Sequence, residues 1–132
     1  MTLLLDASVW VAAADADDRF HAGANRLLLS ARELTALDLT LYEVANAAVH
    51  RWRDADRAAW LHELVLEAAG DRLIRVDAGL FEESVAVAAR EEITVYDAAY
   101  VAAARRDGLA LVSADVPDLV DRGLACAPDY FR

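Results

Sequence analysis

Between Tyr96 and Ala104 the chain carries one charged side chain, Asp97, among alanines, a valine and tyrosines. A helix over this stretch has no polar face, so it must be buried. Ala98, Ala99, Ala102 and Ala103 are too small to hold another element at a distance, and the helix is expected to lie close against a sheet, with Val101 one turn beyond Asp97. Asp97 then sits at the edge of the core. The positive end of the helix dipole favours its ionised form, and partial burial opposes it. Its neighbours decide the balance, and three further carboxylates, Asp6, Glu43 and Asp115, are the expected ones.

The remaining segments supply that sheet. Leu3-Leu4-Leu5 reads as a buried strand with Asp6 at its C-terminal tip. Leu109-Ala110-Leu111-Val112 reads the same way and delivers Ser113 and Asp115. Shorter strands are expected at 34–37 and 73–76, with an edge strand at 124–126. Helical spacing marks residues 8–14, with Ser8 as the cap, then 19–31, a helix from Thr40 to about Arg51, and 56–69 stopped by Gly70. Further helices are expected at 80–90 and over a short stretch from Pro117. Strands alternating with helices imply parallel pairing in an α/β sandwich, whose ligand site lies beyond the C-terminal ends of the strands. Nothing in the pattern marks a repeat or linker, so residues 1–132 are read as one domain.

Composition excludes several classes of function. Acids outnumber bases by 23 to 13, giving a net charge of −10, and every base is arginine. That balance argues against nonspecific nucleic-acid binding by the bare surface, but not against a nucleic acid held by a metal and a few local arginines. It also suits a basic partner. No apolar run approaches the roughly 18 residues of a membrane span. The opening Met1–Asp6 meets an acid at once with no basic region before it, so no secretion signal is expected. The single cysteine, Cys126, agrees with a reducing compartment, and a cytoplasmic location is the expectation.

Three of the acids also have structural readings. Thr40-Leu41-Tyr42-Glu43 and Thr94-Val95-Tyr96-Asp97 both fit a capping box, and Asp115 followed by Pro117 fits a helix start. Asp6, directly after three leucines, has no capping duty as plain. Considered together, four carboxylates converging on one sheet edge cannot all stay ionised without a cation. Oxygen ligands suit Mg²⁺ or Mn²⁺, which polarises a phosphate and activates water, so the implied chemistry is phosphodiester hydrolysis.

Asp6-Ala7-Ser8, Glu43, the Tyr96–Ala104 run and Leu111-Val112-Ser113-Ala114-Asp115 together resemble the pattern of PIN-domain ribonucleases, and in particular the VapC toxins of toxin–antitoxin pairs. The resemblance covers nearly the whole chain, and its most specific piece surrounds Asp97. It implies a three-layer α/β/α sandwich with a mainly parallel central sheet. It also implies Asp6, Glu43, Asp97 and Asp115 as metal ligands and catalytic acids, with Ser8 and Ser113 as supporting polar groups. Many relatives have threonine where Ser113 stands, and serine keeps the hydroxyl. Asp118 is a candidate outer acid, with a helix-cap role as its alternative. The resemblance further implies an Mg²⁺- or Mn²⁺-dependent endoribonuclease acting on RNA, neutralised by a cognate VapB-like antitoxin and assembled as a homodimer.

Trp10, Trp52 and Trp60 are candidates to line the antitoxin groove, with plain core as the alternative. Arg51, Arg53, Arg105 and Arg106 are candidates to guide RNA phosphates, or simply solvated helix ends. His21, His50 and His62 show no ligand spacing. Competing readings are a PIN nuclease that is not a toxin, acting in RNA processing or on DNA, and a PIN-like binding module without activity. Receiver domains and haloacid-dehalogenase-like phosphatases need a lysine, which the chain lacks, and the latter a second aspartate where Ser8 stands.

Overall fold

The computed structural model describes residues 1–131. Three short strands, β1 (Leu3–Leu5), β2 (Leu34–Thr35) and β3 (Ala110–Val112), form a parallel sheet in the order β2-β1-β3. Leu4 pairs with Thr35 on one side and Leu111 on the other. Alternate side chains of β1 serve different cores, as the strand period of two requires. Leu3 and Leu5 join one apolar cluster and Leu4 the other.

Helices α1 (Ala7–Ala14), α2 (His21–Leu29), α3 (Asp38–His50) and α4 (Ala55–Ala69) pack into the first cluster through residues such as Trp10, Leu27, Val44 and Leu61. Helices α5 (Ala78–Glu91) and α6 (Val95–Asp107) build the second through Leu80, Val87 and Ala98–Ala104. The result is the expected three-layer sandwich. Every residue from Ala98 to Ala104 is buried, because α6 is packed between β3 and α5. Gly108, at φ 66°, ends α6 in the left-handed conformation that glycine adopts without steric cost. No helix among the described residues is long and apolar enough to cross a membrane.

Several boundaries differ from expectation for identifiable reasons. The strand expected at 73–76 is a single parallel bridge, Leu37 to Ile74. Ile74 N–H donates to Ala36 O and Asp38 N–H to Ile74 O, but the partner chain then turns into α3, and the Asp38 carboxylate takes the Val76 amide instead. The edge strand at 124–126 is likewise one bridge, Val112 to Cys126. β2 is two residues rather than four, α2 is shorter than 19–31, and α3 begins two residues before Thr40. The stretch after Asp115 is a single wide turn, Val116–Val120.

Candidate functional site

Asp6 and Asp115 lie just beyond the C-terminal ends of β1 and β3, and of the four expected acids only Asp97 and Asp115 fall together at metal-ligand distance among the described residues. Asp6 follows β1 directly and is buried. Contrary to expectation it does cap α1: its carboxylate accepts from the Val9 amide at 3.4 Å, while Ser8, the expected cap, lies inside the helix. The Ser8 hydroxyl donates to Asp6 Oδ1 and accepts from the Ala114 amide at 2.8 Å. Ser8 thereby ties the end of β1 to the loop after β3. Ser113 accepts from the Asp115 amide at 3.0 Å and sets the turn that presents Asp115. Asp115 caps the following turn by accepting from the Asp118 amide at 3.2 Å, so the cap is Asp115 and not Asp118.

Asp97 enters from the first turn of α6. Thr94 caps the helix by accepting from the Asp97 amide at 3.1 Å, but among the described residues the Asp97 carboxylate makes no return bond. Only half of the expected capping box forms, and the acid is left for the pocket. Carboxylate oxygens of Asp97, Asp115 and Asp118 all lie within 4.8 Å of one another.

Glu43 comes from α3. The capping box expected with Thr40 does not form, because α3 starts earlier and Thr40 already lies in its first turn, accepting from the Leu37 amide at 3.2 Å. Glu43 instead accepts from Tyr100 Oη at 2.7 Å. Tyr100 and Thr40, 2.7 Å apart, are the polar partners that the sequence reading missed. A signal was present: a tyrosine within the alanine-rich, buried run of α6 must find a hydrogen-bond partner for its hydroxyl.

Proton affinities record the crowding. Burial pushes the Asp6 carboxyl from its ordinary 3.8 up to about 7; the Ser113 and Ser8 hydroxyls oppose this and the charge of Asp97 adds to it. Burial also raises Glu43, against the Tyr100 hydrogen bond and with the charge of Asp97. Asp97 is raised by burial first, then by Asp115 and Asp118. Tyr100, buried and facing Glu43, is held well above its ordinary value and remains a donor.

The other candidates disperse. Trp10 is fully buried in the core, with no partner for its indole nitrogen among the described residues, so it lines no groove. Trp52 is half-buried beneath Arg57, and Trp60 is exposed. Arg105 and Arg106 lie at the far end of α6, about 12–14 Å along its axis from Asp97. Arg51 pairs with Asp15 at 2.9 Å and lines, with Arg19 and Asp115, a cleft of about 470 Å³.

Short parallel strands between two helical layers, with acids beyond their C-terminal ends, define an α/β/α sandwich with an acidic edge. The PIN domain family model matches residues 3–116, and the chain belongs to that family. It is 34% identical over 122 residues to Ribonuclease VapC3 of Pyrobaculum aerophilum, covering 87% of this chain and 90% of that protein. Among solved structures it resembles PAE2754 from Pyrobaculum aerophilum, with a TM-score of 0.72 and 27% identity over 98% of this chain and 85% of the other. It also shares its fold with Mycobacterium tuberculosis VapC20, a sarcin-ricin loop cleaving toxin, at a TM-score of 0.73 and 23% identity over 92% and 95% of the two chains.

Proposed function

We propose that this chain is a metal-dependent endoribonuclease and the toxin of a toxin–antitoxin pair, acting in the cytoplasm. The observation that supports the reading is the cluster of Asp97, Asp115 and Asp118 within 4.8 Å, with burial and the charge of Asp97 also raising the proton affinities of Asp6 and Glu43. The all-oxygen donor set fits a hard divalent cation, Mg²⁺ or Mn²⁺. Asp97 and Asp115, with Asp118 within 4.8 Å of both, would form the core of its site, and Asp6 and Glu43 would complete the acid set. A bound cation supplies Lewis acidity toward a phosphodiester oxygen and eases deprotonation of the attacking water.

The protein's own part is to hold these acids together at a cost in mutual repulsion. Ser8 and Ser113 hold the end of β1 and the loop after β3 together, a support for Asp6 and Asp115 acting as one set. Burial raises the proton affinities of Glu43 and Asp6, and Asp6, raised to about 7, is the acid that would exchange a proton during hydrolysis. Arg51 and Arg19, lining the cleft beside Asp115, would meet the RNA backbone on its way to the acids.

The relationship to Ribonuclease VapC3 supports ribonuclease activity, and neighbours that include a toxin–antitoxin complex from Klebsiella pneumoniae support an antitoxin partner. A homodimer is part of the same reading. Incubation of the purified protein with total RNA tests it. Discrete fragments that require Mg²⁺ or Mn²⁺, vanish with EDTA and vanish in Asp97→Asn are expected. Cleavage that survives in Asp97→Asn would refute it.

A further inference from the structure

Behind the acid pocket lies a chain of hydrogen bonds that runs in one direction. The Leu37 amide donates to Thr40 Oγ1 at 3.2 Å, Thr40 Oγ1 lies 2.7 Å from Tyr100 Oη, and Tyr100 Oη donates to Glu43 Oε1 at 2.7 Å. A phenol has one proton and an ionised carboxylate has none. The Tyr100 proton is therefore committed to Glu43, and the contact with Thr40 is made by the threonine proton. Every donor points toward the glutamate. Thr40 and Tyr100 are fully buried, at 0% and 1% exposure, so water does not compete for these bonds.

The chain also joins the layers. Thr40 and Glu43 are three residues apart on one face of α3, and Tyr100 is one turn beyond Asp97 on α6. The turn of α6 that carries Asp97 thus also holds Glu43, which belongs to the opposite layer. A glutamate has three rotatable side-chain bonds, and an unanchored one loses that freedom each time it engages a ligand. With Oε1 tied down, Oε2 is the oxygen that has no hydrogen-bond partner among the described residues.

We propose that Tyr100, backed by Thr40, is a positioning residue for Glu43: it anchors Oε1 and leaves Oε2 as the oxygen offered to a divalent cation or to substrate. This rests on the four-carboxylate reading above, and it adds residues that the reading does not include. Removing an outer partner of this kind commonly costs about 10- to 100-fold in affinity or activity.

The test measures Mn²⁺ affinity by calorimetry, metal-free melting temperature, and kcat and KM for RNA in the unaltered protein, Tyr100→Phe, Thr40→Val, Glu43→Gln and the Tyr100→Phe/Glu43→Gln double variant. Phenylalanine keeps the ring in the core, and Thr40→Val interrupts the chain independently if Tyr100→Phe folds poorly. Expected are Mn²⁺ binding and kcat each reduced about tenfold in Tyr100→Phe, KM for RNA nearly unchanged, and a smaller loss of the same kind in Thr40→Val. In the Glu43→Gln background, Tyr100→Phe should cause no further loss of Mn²⁺ affinity. A lower melting temperature with unaltered Mn²⁺ affinity and kcat would assign Tyr100 to packing alone and overturn the proposal. Equal losses with and without Glu43 would overturn it too. If Glu43→Gln weakens Mn²⁺ binding and neither Tyr100→Phe nor Thr40→Val does, only the positioning role falls. If Glu43→Gln binds Mn²⁺ and cleaves like the unaltered protein, the four-carboxylate reading falls and this proposal with it.

Discussion

The two ends of α6 hold their charges in opposite ways. At the C-terminus Arg105 and Arg106 are exposed, Arg106 pairs with Asp107 at 3.1 Å and Asp77 at 3.5 Å, and cations there agree with the helix dipole. At the N-terminus Asp97 also has the sign the dipole favours, yet its proton affinity is raised, because burial and the charges of Asp115 and Asp118 outweigh the dipole. One end is neutralised by its neighbours, and the other is loaded against itself. Such loading lowers the stability of the folded state unless a ligand compensates, as it does at many functional sites.

The sharpest way to break this contrast is Asp97→Asn. Cleavage is expected to fall by about three orders of magnitude or more, equivalent to at least about 4 kcal/mol of transition-state stabilisation. Metal-free melting temperature should rise as repulsion is relieved, and a large fall would assign Asp97 to capping instead.

Next in size is the pH dependence. A carboxyl whose folded pKa is raised leaves the native state holding more protons than the unfolded chain between the two values, so stability falls as pH rises through that window. For Asp6 the window runs from 3.8 to about 7. The metal-free protein should lose up to about 4 kcal/mol across it from this group alone, as measured by denaturant unfolding at pH 4 and pH 8. Asp6→Asn should flatten the profile. Millimolar Mn²⁺ at pH 8 should restore about 2.7 kcal/mol when present at 100 times its dissociation constant, and a melting temperature that ignores Mn²⁺ would count against the site.

Ser8→Ala removes a hydroxyl that the Ala114 amide and Asp6 both use, and should cost about 1–3 kcal/mol by the same unfolding measurement. At the C-terminus of α6, Arg106→Ala should change stability by no more than about 0.5 kcal/mol, because exposed pairs contribute little. A loss as large as that of Ser8→Ala would erase the distinction between the acid site and the C-terminal end of α6.

Much of this was visible along the chain. Leu3-Leu4-Leu5 and Leu111-Val112 announce buried parallel strands, and the alanines of α6 announce a helix without a solvent face. The acids at the ends of these elements follow from the same pattern. Capping duties were assigned less well. Thr40 and Glu43 have the spacing of a capping box, but the turn of the chain at Asp38, held by Ile74 and Val76, starts α3 earlier. Asp6 caps α1 although nothing in its own stretch announced that duty.

Apolar spacing and the position of each acid relative to its own element are local properties, set by backbone periodicity, and they are written in consecutive residues. The partnership of Tyr100 with Glu43 and Thr40 spans 57 and 60 residues and forms only where helices from opposite layers meet over the sheet edge. The shift of the Asp6 carboxyl to about 7 arises in the same way, because burial and the approach of Asp97 exist only once β1 and α6 are packed together. Local spacing encodes neither, since both depend on distances that the assembled layers create.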